Sequence, residues 1–254
     1  DLKTGVIAEI GEGEKIVALR ADIDALPINE MTDYPYKSQN PGVMHACGHD
    51  FHTASLLGAT VVLKQKEKEL KGRVRLIFQP AEEINAGAKE VIKSGVLKGV
   101  SAIAGFHNKP DLPLGTIGIK SGPLMAAVDR FEVKINGTGT HAAAPQNGND
   151  PIVTASQIVT SIQSIVSRYV SPVDMAIISV TKISGGNTWN VIPESVIMEG
   201  TMRTFKESVQ ERIKKLFVQV IKNYTEAFDQ KYEILWGDAH SFVDNDKILA
   251  EAIG

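Results

Sequence analysis

The segment over residues 44–54, with the sequence M-H-A-C-G-H-D-F-H-T-A, concentrates side chains that bind metals and transfer protons. It holds three of the chain's six histidines and its only cysteine, Cys47. A single cysteine cannot form a disulfide within the chain, so Cys47 can serve as a thiolate ligand, a nucleophile or a buried apolar side chain. With an acidic pair at Glu82 and Glu83, metal ligation is the leading interpretation.

A dinuclear metal site needs a bridging anion, further ligands for each ion and a general base for the attacking water. The sequence offers Cys47 as the bridge and His49, Glu83 and His107 as further ligands, which leaves Glu82 as the base. Each residue alone has a simpler explanation, such as a buried thiol, a solvated helix start or a loop histidine. Their joint occurrence favours a metal site.

The candidate residues follow the ends of strands in a predicted α/β layer. We predict strands over 5–10, 15–21, 73–78 and 102–106, and helices over 52–69 and 87–94. Alternating strands and helices are typical of a parallel sheet. Because ligands bind beyond the carboxyl ends of parallel strands, we expect Asp22, Asp24, Glu82, Glu83 and His107 at one sheet edge.

The pattern changes after residue 121. Strands are predicted over 128–135, 175–183, 196–203 and 232–236, and helices over 151–168 and 209–227. This β-α-β-β-α-β order is that of a ferredoxin-like module. We therefore expect an α+β lid over residues 122–243, inserted into an α/β catalytic domain formed by residues 1–121 and 244–254.

Composition excludes several classes of partner. The 254 residues carry a net charge of -3, so the chain lacks the basic surface of a nucleic-acid-binding protein. It has no apolar run of about 18 residues, so we expect no membrane span. The single cysteine suits a reducing compartment, which predicts a cytoplasmic protein. The chain begins without Met and runs directly into strand-like sequence, which indicates an internal fragment.

Four strings occur in order along the chain: L-R-A-D-I-D-A-L-P, M-H-A-C-G-H-D-F-H-T-A, Q-P-A-E-E and G-F-H. Together they resemble the dinuclear-metal aminoacylase/carboxypeptidase family of amidohydrolases, close to hippurate hydrolases, indoleacetyl-amino acid hydrolases and N-acetyldiaminopimelate deacetylases. The resemblance implies a zinc-peptidase-like catalytic domain, with a mainly parallel sheet flanked by helices, and an inserted ferredoxin-like lid. It also implies a metal-dependent hydrolase that cleaves the linear amide bond of N-acyl-L-amino acids.

The resemblance implies two divalent metal ions, zinc or manganese, with cobalt or nickel as alternatives. Cys47 would bridge the ions, His49 and His107 would bind one of them, and Glu83 would bind the other. Glu82 would be the general base and then the acid that protonates the leaving amine.

Four residues nearby have other or open roles. Asp24 matches an aspartate that orients a ligand through a hydrogen bond. Asp22 stands where many relatives carry a metal-binding histidine, so its role is left open. His45 and His52 have no ligand role in the resemblance, and we expect structural hydrogen bonds from both.

The lid motif G-T-G-T-H-A contains His141, which in the family reaches an active site, often across a dimer, and donates to the tetrahedral oxyanion. Asn190 and Arg203 resemble substrate contacts, and the fork of arginine suits the carboxylate of an amino acid. The resemblance therefore implies a small N-acyl amino acid or peptide substrate and a homodimer formed through the lid.

One departure from the family concerns the far end of the chain. The family closes its second metal site with a histidine far downstream, whereas this chain ends at Gly254. His240 lies outside a comparable motif and is not assigned to metal. We therefore expect that one ion is held less well than the other, or that neither is held.

Three alternatives remain open. The first is a metallo-dipeptidase or carboxypeptidase with the same site. The second is a non-catalytic ligand-binding or dimerisation module. The third is a thiol-nucleophile enzyme that uses Cys47 with a histidine.

Overall fold

The computed structural model describes residues 3–254, apart from the side chain of Asp238. Residues 1 and 2 of the predicted first domain lie outside the described residues. The chain divides into two units, Asp1–Gly118 and Ile119–Gly254, and each is considered by itself.

The first unit is a four-stranded sheet with helices. Its elements are β1 (Val6–Ile10), β2 (Ile16–Asp22), α1 (His49–Gln65), β3 (Arg73–Gln79), α2 (Gly87–Lys93) and β4 (Val100–Gly105). The strand order is β1-β3-β2-β4, with β2 parallel to both neighbours and β1 antiparallel to β3. In this register Asp22 lies opposite Gln79, so β2 and β3 end at the same edge. The predicted, mainly parallel sheet is confirmed.

Both faces of this sheet are covered, which explains the apolar stretches I-V-A-L in β2 and L-I-F in β3. On one face, Leu56 of α1 packs with Leu76 and Phe78 of β3. On the other face, Val91 of α2 packs with Ala18 and Ile77. The helices therefore flank the sheet and leave its strand ends to carry polar residues.

The second unit contains the remaining elements. They are β5 (Gly122–Met125), β6 (Ala127–Asn136), β7 (Thr140–His141), α3 (Pro151–Tyr169), β8 (Ala176–Gly185), β9 (Val191–Ile192), β10 (Ser195–Thr204), α4 (Glu207–Ala227), β11 (Lys231–His240), β12 (Val243–Asn245) and α5 (Lys247–Ile253). The main sheet is antiparallel throughout, with the order β11-β6-β10-β8. Its path β6-α3-β8-β10-α4-β11 is the predicted ferredoxin-like arrangement.

The two long helices cover one face of this antiparallel sheet. The rings of Phe131 on β6 and Phe217 on α4 have centroids 4.7 Å apart, and Ile158 and Ile162 of α3 are fully buried beside them. This apolar core explains the strict alternation of buried positions along β6 and β10.

The other sheet face carries charges. Glu199 on β10 pairs with Arg130 of β6 at 3.0 Å and with Lys182 of β8 at 2.5 Å. The two basic neighbours lower the pKa of Glu199 through hydrogen bonds, Lys182 having the larger effect.

The C-terminal segment contains a short strand and the last helix. Residues 244–254 were predicted to return to the catalytic domain, and they do contain a helix, α5. β12 pairs with β5, and the segment groups with the second unit. The predicted domain boundaries stay a prediction. No helix in the described part of the chain combines the length and apolar character needed to cross a membrane.

Candidate metal centre

His49 lies at the middle of the candidate site. It is the first residue of α1, three positions before the predicted helix start, because Gly48 adopts a left-handed φ of 86° and turns the chain into the helix. The imidazole is fully buried. Its Nδ1 lies 3.0 Å from the carbonyl oxygen and 3.2 Å from Oδ1 of Asp24. Nδ1–H therefore donates to Asp24, and Nε2 is left as a free acceptor.

Three carboxylates surround this free nitrogen. His49 Nε2 lies 3.6 Å from Asp22 Oδ2, 3.8 Å from Glu83 Oε1 and 3.9 Å from Glu82 Oε2. None of these is a hydrogen-bond distance. His49 Nε2 and Glu83 Oε1 are both buried and have no hydrogen-bond partner among the described residues. Buried polar atoms are normally paired, so this arrangement needs a group that the described residues do not supply.

The two glutamates lie on a tight turn after β3. Ala81 has a left-handed φ of 55°, and Gly87 N–H donates to its carbonyl at 2.9 Å. An ideal Cβ at Gly87 would lie 1.6 Å from the carbonyl oxygen of Pro80, so a side chain there cannot be accommodated without a shift. This close approach lets the chain pass from β3 into α2 with Glu82 and Glu83 facing His49.

Cys47 and His107 complete the cluster from another side. His107 Nδ1–H donates to the carbonyl of Asn108 at 2.9 Å, so its Nε2 faces Cys47 Sγ at 3.4 Å. Donor atoms of Cys47, His49 and His107 all lie within 4.8 Å of one another. The same holds for His49, Glu82 and Glu83. His49 is thus shared by these two groups of donors, and it forms a third group with Asp22 and His52, each of which could hold a metal ion.

The electrostatics of Cys47 reflect this crowding of acids. Burial and then the neighbouring Glu83 carboxylate raise the pKa of the thiol to about 11, with Glu82 and Asp22 acting in the same direction. A divalent cation reverses this balance, since it favours deprotonated ligands. Thiolate, imidazole and carboxylate donors form a mixed set of the kind that zinc accepts.

Asp22 and His52 form a second buried pair beside the cluster. Asp22 Oδ1 lies 2.5 Å from His52 Nδ1, and its Oδ2 accepts from Arg20 Nη1 at 2.7 Å. Burial opposes ionisation of Asp22, but the bond from His52 and the charge of Arg20 together lower its pKa. The sequence left the role of Asp22 open and expected hydrogen bonds from His52. It missed Asn108, whose backbone N–H contacts His52 at 2.9 Å.

Comparison with known proteins identifies the family. Residues 18–232 match the model of peptidase family M20/M25/M40. The chain belongs to this family. The resemblance predicted from the four motifs is therefore confirmed.

Individual M20 relatives include enzymes named for N-acyl substrates. The chain is 55% identical over 250 residues to an N-acetyl-L-cysteine deacetylase of Bacillus subtilis (strain 168), covering 98% of this chain and 60% of that protein. It is 48% identical over 219 residues to an IAA-amino acid hydrolase of Arabidopsis thaliana, covering 86% of this chain and 50% of that protein. The chain thus spans about half to three fifths of these relatives.

A solved structure of the M20 family shares the fold. It is a dinuclear metal binding peptidase from Bacillus subtilis, 48% identical, with a TM-score of 0.83. The match covers 98% of this chain and 65% of that one.

In the second unit of this M20 chain, two of the predicted lid residues lie together. β7 pairs with β9, so that His141 lies opposite Val191, and Ala142 N–H donates to the carbonyl of Asn190 at 3.0 Å. His141 is exposed, and its Nδ1 accepts from Ala143 N–H at 3.1 Å, which leaves Nε2–H free to donate.

Arg203 lies apart from this pair. The β7–β9 ladder continues beyond the Ser195 end of β10, where Gly137 N–H donates to the carbonyl of Glu194 at 2.8 Å. Arg203 lies at the other end of β10, about 27 Å from Ser195 at ~3.4 Å per residue. Within one chain, the structure does not bring Arg203 to His141 and Asn190.

Proposed function

We propose that the protein is a metal-dependent amidohydrolase that cleaves the amide bond of N-acyl-L-amino acids. The observation that carries the proposal is the pair of unpartnered buried atoms, His49 Nε2 and Glu83 Oε1, within a ring of thiol, imidazole and carboxylate donors. A cation at this position would satisfy both atoms. The named activities of the M20 relatives support the substrate class.

The proposed ligands are those of the family resemblance. Cys47 would be shared between two divalent ions, His49 and His107 would hold one of them, and Glu83 would hold the other. When bound, such ions lower the pKa of water and polarise a carbonyl oxygen. Zinc suits the thiolate and imidazole donors, and manganese, cobalt or nickel are alternatives.

Glu82 is the proposed general base. Its carboxylate reaches within 3.9 Å of His49 Nε2 and is more exposed than that of Glu83, at 35% against 21%. It therefore has access to both the buried donors and the solvent side from which substrate enters. Glu82 takes a proton from the attacking water and delivers it to the nitrogen of the leaving amino acid.

The lid residues are proposed to bind the substrate. His141 donates from Nε2 to the oxyanion, Asn190 adds a polar contact, and Arg203 binds the free carboxylate. A small substrate cannot touch both ends of β10, so His141 and Arg203 at one site come from different copies of the chain. A homodimer through the lid meets this requirement.

The test combines metal content with hydrolysis. Purified protein is analysed for metal and assayed on N-acetyl-L-cysteine, on other N-acetyl amino acids and on dipeptides, before and after chelation. We expect one firmly held ion per chain, a second that is bound more weakly, and preferential hydrolysis of N-acetyl amino acids that is lost with chelator. Preference for dipeptides would indicate a peptidase, and activity that survives chelator but fails with a thiol-blocking reagent would indicate a Cys47 nucleophile.

A variant pair tests the base. Glu82→Gln should keep its metal and fold yet lose about 10²–10⁴-fold in turnover, since general base catalysis contributes that much. Glu90→Gln, at an exposed position of α2, is the control and should be unaffected. Normal turnover in a metal-loaded Glu82→Gln variant would refute the assignment.

A further inference from the structure

His52 is fully buried near the start of α1, and no step proposed above uses it. Its Nδ1 lies 2.5 Å from Oδ1 of Asp22, at the end of β2. Its Nε2 lies 2.9 Å from the backbone nitrogen of Asn108, in the segment after β4. The imidazole therefore joins the ends of two neighbouring parallel strands.

The direction of these hydrogen bonds follows from the partners. The Asp22 carboxylate accepts from Arg20 through its other oxygen, so it also accepts from His52 Nδ1–H. This tautomer leaves His52 Nε2 as an acceptor, which matches the N–H of Asn108. Asn108 Oδ1 also lies 2.9 Å from this nitrogen, and two acceptors cannot share a hydrogen bond, so we assign the NH₂ end of the Asn108 amide to this position.

His52 also contacts the residue proposed as a metal ligand. The rings of His52 and His107 meet edge to face, with centroids 4.7 Å apart and planes at 75°. The ring of the preceding residue, Phe106, has its centroid 5.1 Å from that of His52, with the two ring planes at 71°. His52 thus touches three consecutive residues, and the carbonyl of the third accepts from His107 Nδ1. Both the ring plane and the free nitrogen of His107 depend on this contact.

Asn108 extends the same connection to the cysteine segment. An ideal Cβ at Gly48 would lie within 2.6 Å of the side-chain amide atoms of Asn108, so the amide occupies the space over that glycine. Gly48 separates Cys47 from His49, and both are proposed ligands. The amide therefore limits how the two ligand-bearing segments can move relative to each other.

We propose that His52, oriented by Asp22, is a positioning residue that holds His107 and the Cys47 segment in the geometry required by the metal ions. This inference rests on the proposed function, because it concerns the same ions. A purely structural His52 would change the stability of the metal-free protein but not the affinity or the coordination of metal in the molecules that remain folded.

The experiment compares three variants with the wild-type protein. His52→Phe keeps an aromatic ring but removes both hydrogen bonds, whereas His52→Gln retains an amide that can accept from Asn108. His45→Gln changes an exposed histidine of the same segment and is the control. For each protein, cobalt(II) affinity is measured by competition with a chelator. The visible spectrum of the cobalt-loaded form reports its coordination, and circular dichroism gives the Tm of the metal-free form.

We expect His52→Phe to bind cobalt about 10–100-fold more weakly, with a changed visible spectrum, as is typical when a residue that orients a ligand is lost. His52→Gln should recover part of the affinity, and His45→Gln should match wild type. If His52→Phe does not fold, His52→Asn replaces it, since its amide reaches Asp22 but not Asn108, and the same weakening is expected.

Two results would overturn the inference in distinguishable ways. Wild-type protein that loads metal and hydrolyses substrate, together with a His52 variant of unchanged affinity and spectrum, would refute the positioning role alone. Wild-type protein that binds no metal would refute the proposed function and this inference with it.

Discussion

Asp24 Oδ2 accepts a hydrogen bond from the backbone N–H of Glu83 at 3.0 Å, which ties the segment after β2 to the turn after β3. The other oxygen of the same carboxylate lies 3.2 Å from His49 Nδ1. One side chain therefore orients two proposed ligands that belong to different segments. It holds His49 through its side chain and Glu83 through its backbone.

Asp24→Ala should consequently weaken metal binding without abolishing the fold. Loss of such an orienting partner typically costs about 10–100-fold in metal affinity. Chelator competition measures the change, and Asp33→Ala, at an exposed position of the same unit, is the control. Equal affinities in the two variants would show that Asp24 does not orient the ligands.

Gly87→Ala should destabilise the protein and disturb the turn that carries the glutamates. Its Cβ would lie 1.6 Å from the Pro80 carbonyl oxygen, and overpacking of this kind costs about 1–3 kcal/mol. Gly58→Ala is the matched control, because nothing lies within 4 Å of an ideal Cβ at that exposed helical position. It should stabilise by about 0.5–1 kcal/mol. The free energy of unfolding of each variant is measured with denaturant. Equal changes in the two variants would contradict the close approach of Gly87 to Pro80.

Mixing two inactive variants should restore activity if the substrate site is shared between chains. His141→Ala and Arg203→Ala each remove one contact, and these residues lie about 27 Å or more apart along the lid sheet. A dimer with one chain of each kind retains one site that has both side chains. We therefore expect each mixed dimer to have about half the activity of a wild-type dimer. No recovery, in a preparation that light scattering shows to be dimeric and exchanging, would exclude the shared site.

Glu199 should make the stability of the lid depend on pH in the acidic range. Its pKa is lowered below the usual 4.5 by hydrogen bonds from Lys182 and then Arg130. A group with a lowered folded-state pKa contributes stability that is fully present above its unfolded pKa and is lost as the pH falls through the folded value. The difference in Tm between wild type and Glu199→Gln should therefore shrink on acidification below about pH 4.5. A constant difference would show that the ion pairs contribute nothing.

The sequence predicted the elements whose residues are locally patterned. The local spacing of apolar residues predicts the apolar runs of β2 and β3 and the amphipathic helices α3 and α4. These elements indicate the fold class. The expectation that Glu83 and His107 lie at one edge of the sheet followed from the ends of parallel strands.

Features that depend on distant contacts escaped prediction. The helix start at His49 depends on the backbone angle of Gly48, and the spacing of apolar residues carries no information about that angle. Asn108 carries no motif, and its importance comes from His52, 56 residues away in sequence. The short β7–β9 pairing contains too few residues to produce a period.

The alignment of Asp22 with Gln79 across β2 and β3 has a consequence for how this protein tolerates mutation. Sliding one strand by a single residue would move all its side chains to the opposite face of the sheet and turn Asp22 away from the histidines. The bond from Arg20 Nε to Gln79 Oε1, at 3.0 Å, opposes such a slip from within the polar edge itself. We therefore expect substitutions at that edge to disturb the strand register as well as the chemistry. The sheet and the proposed site would then be constrained to evolve together.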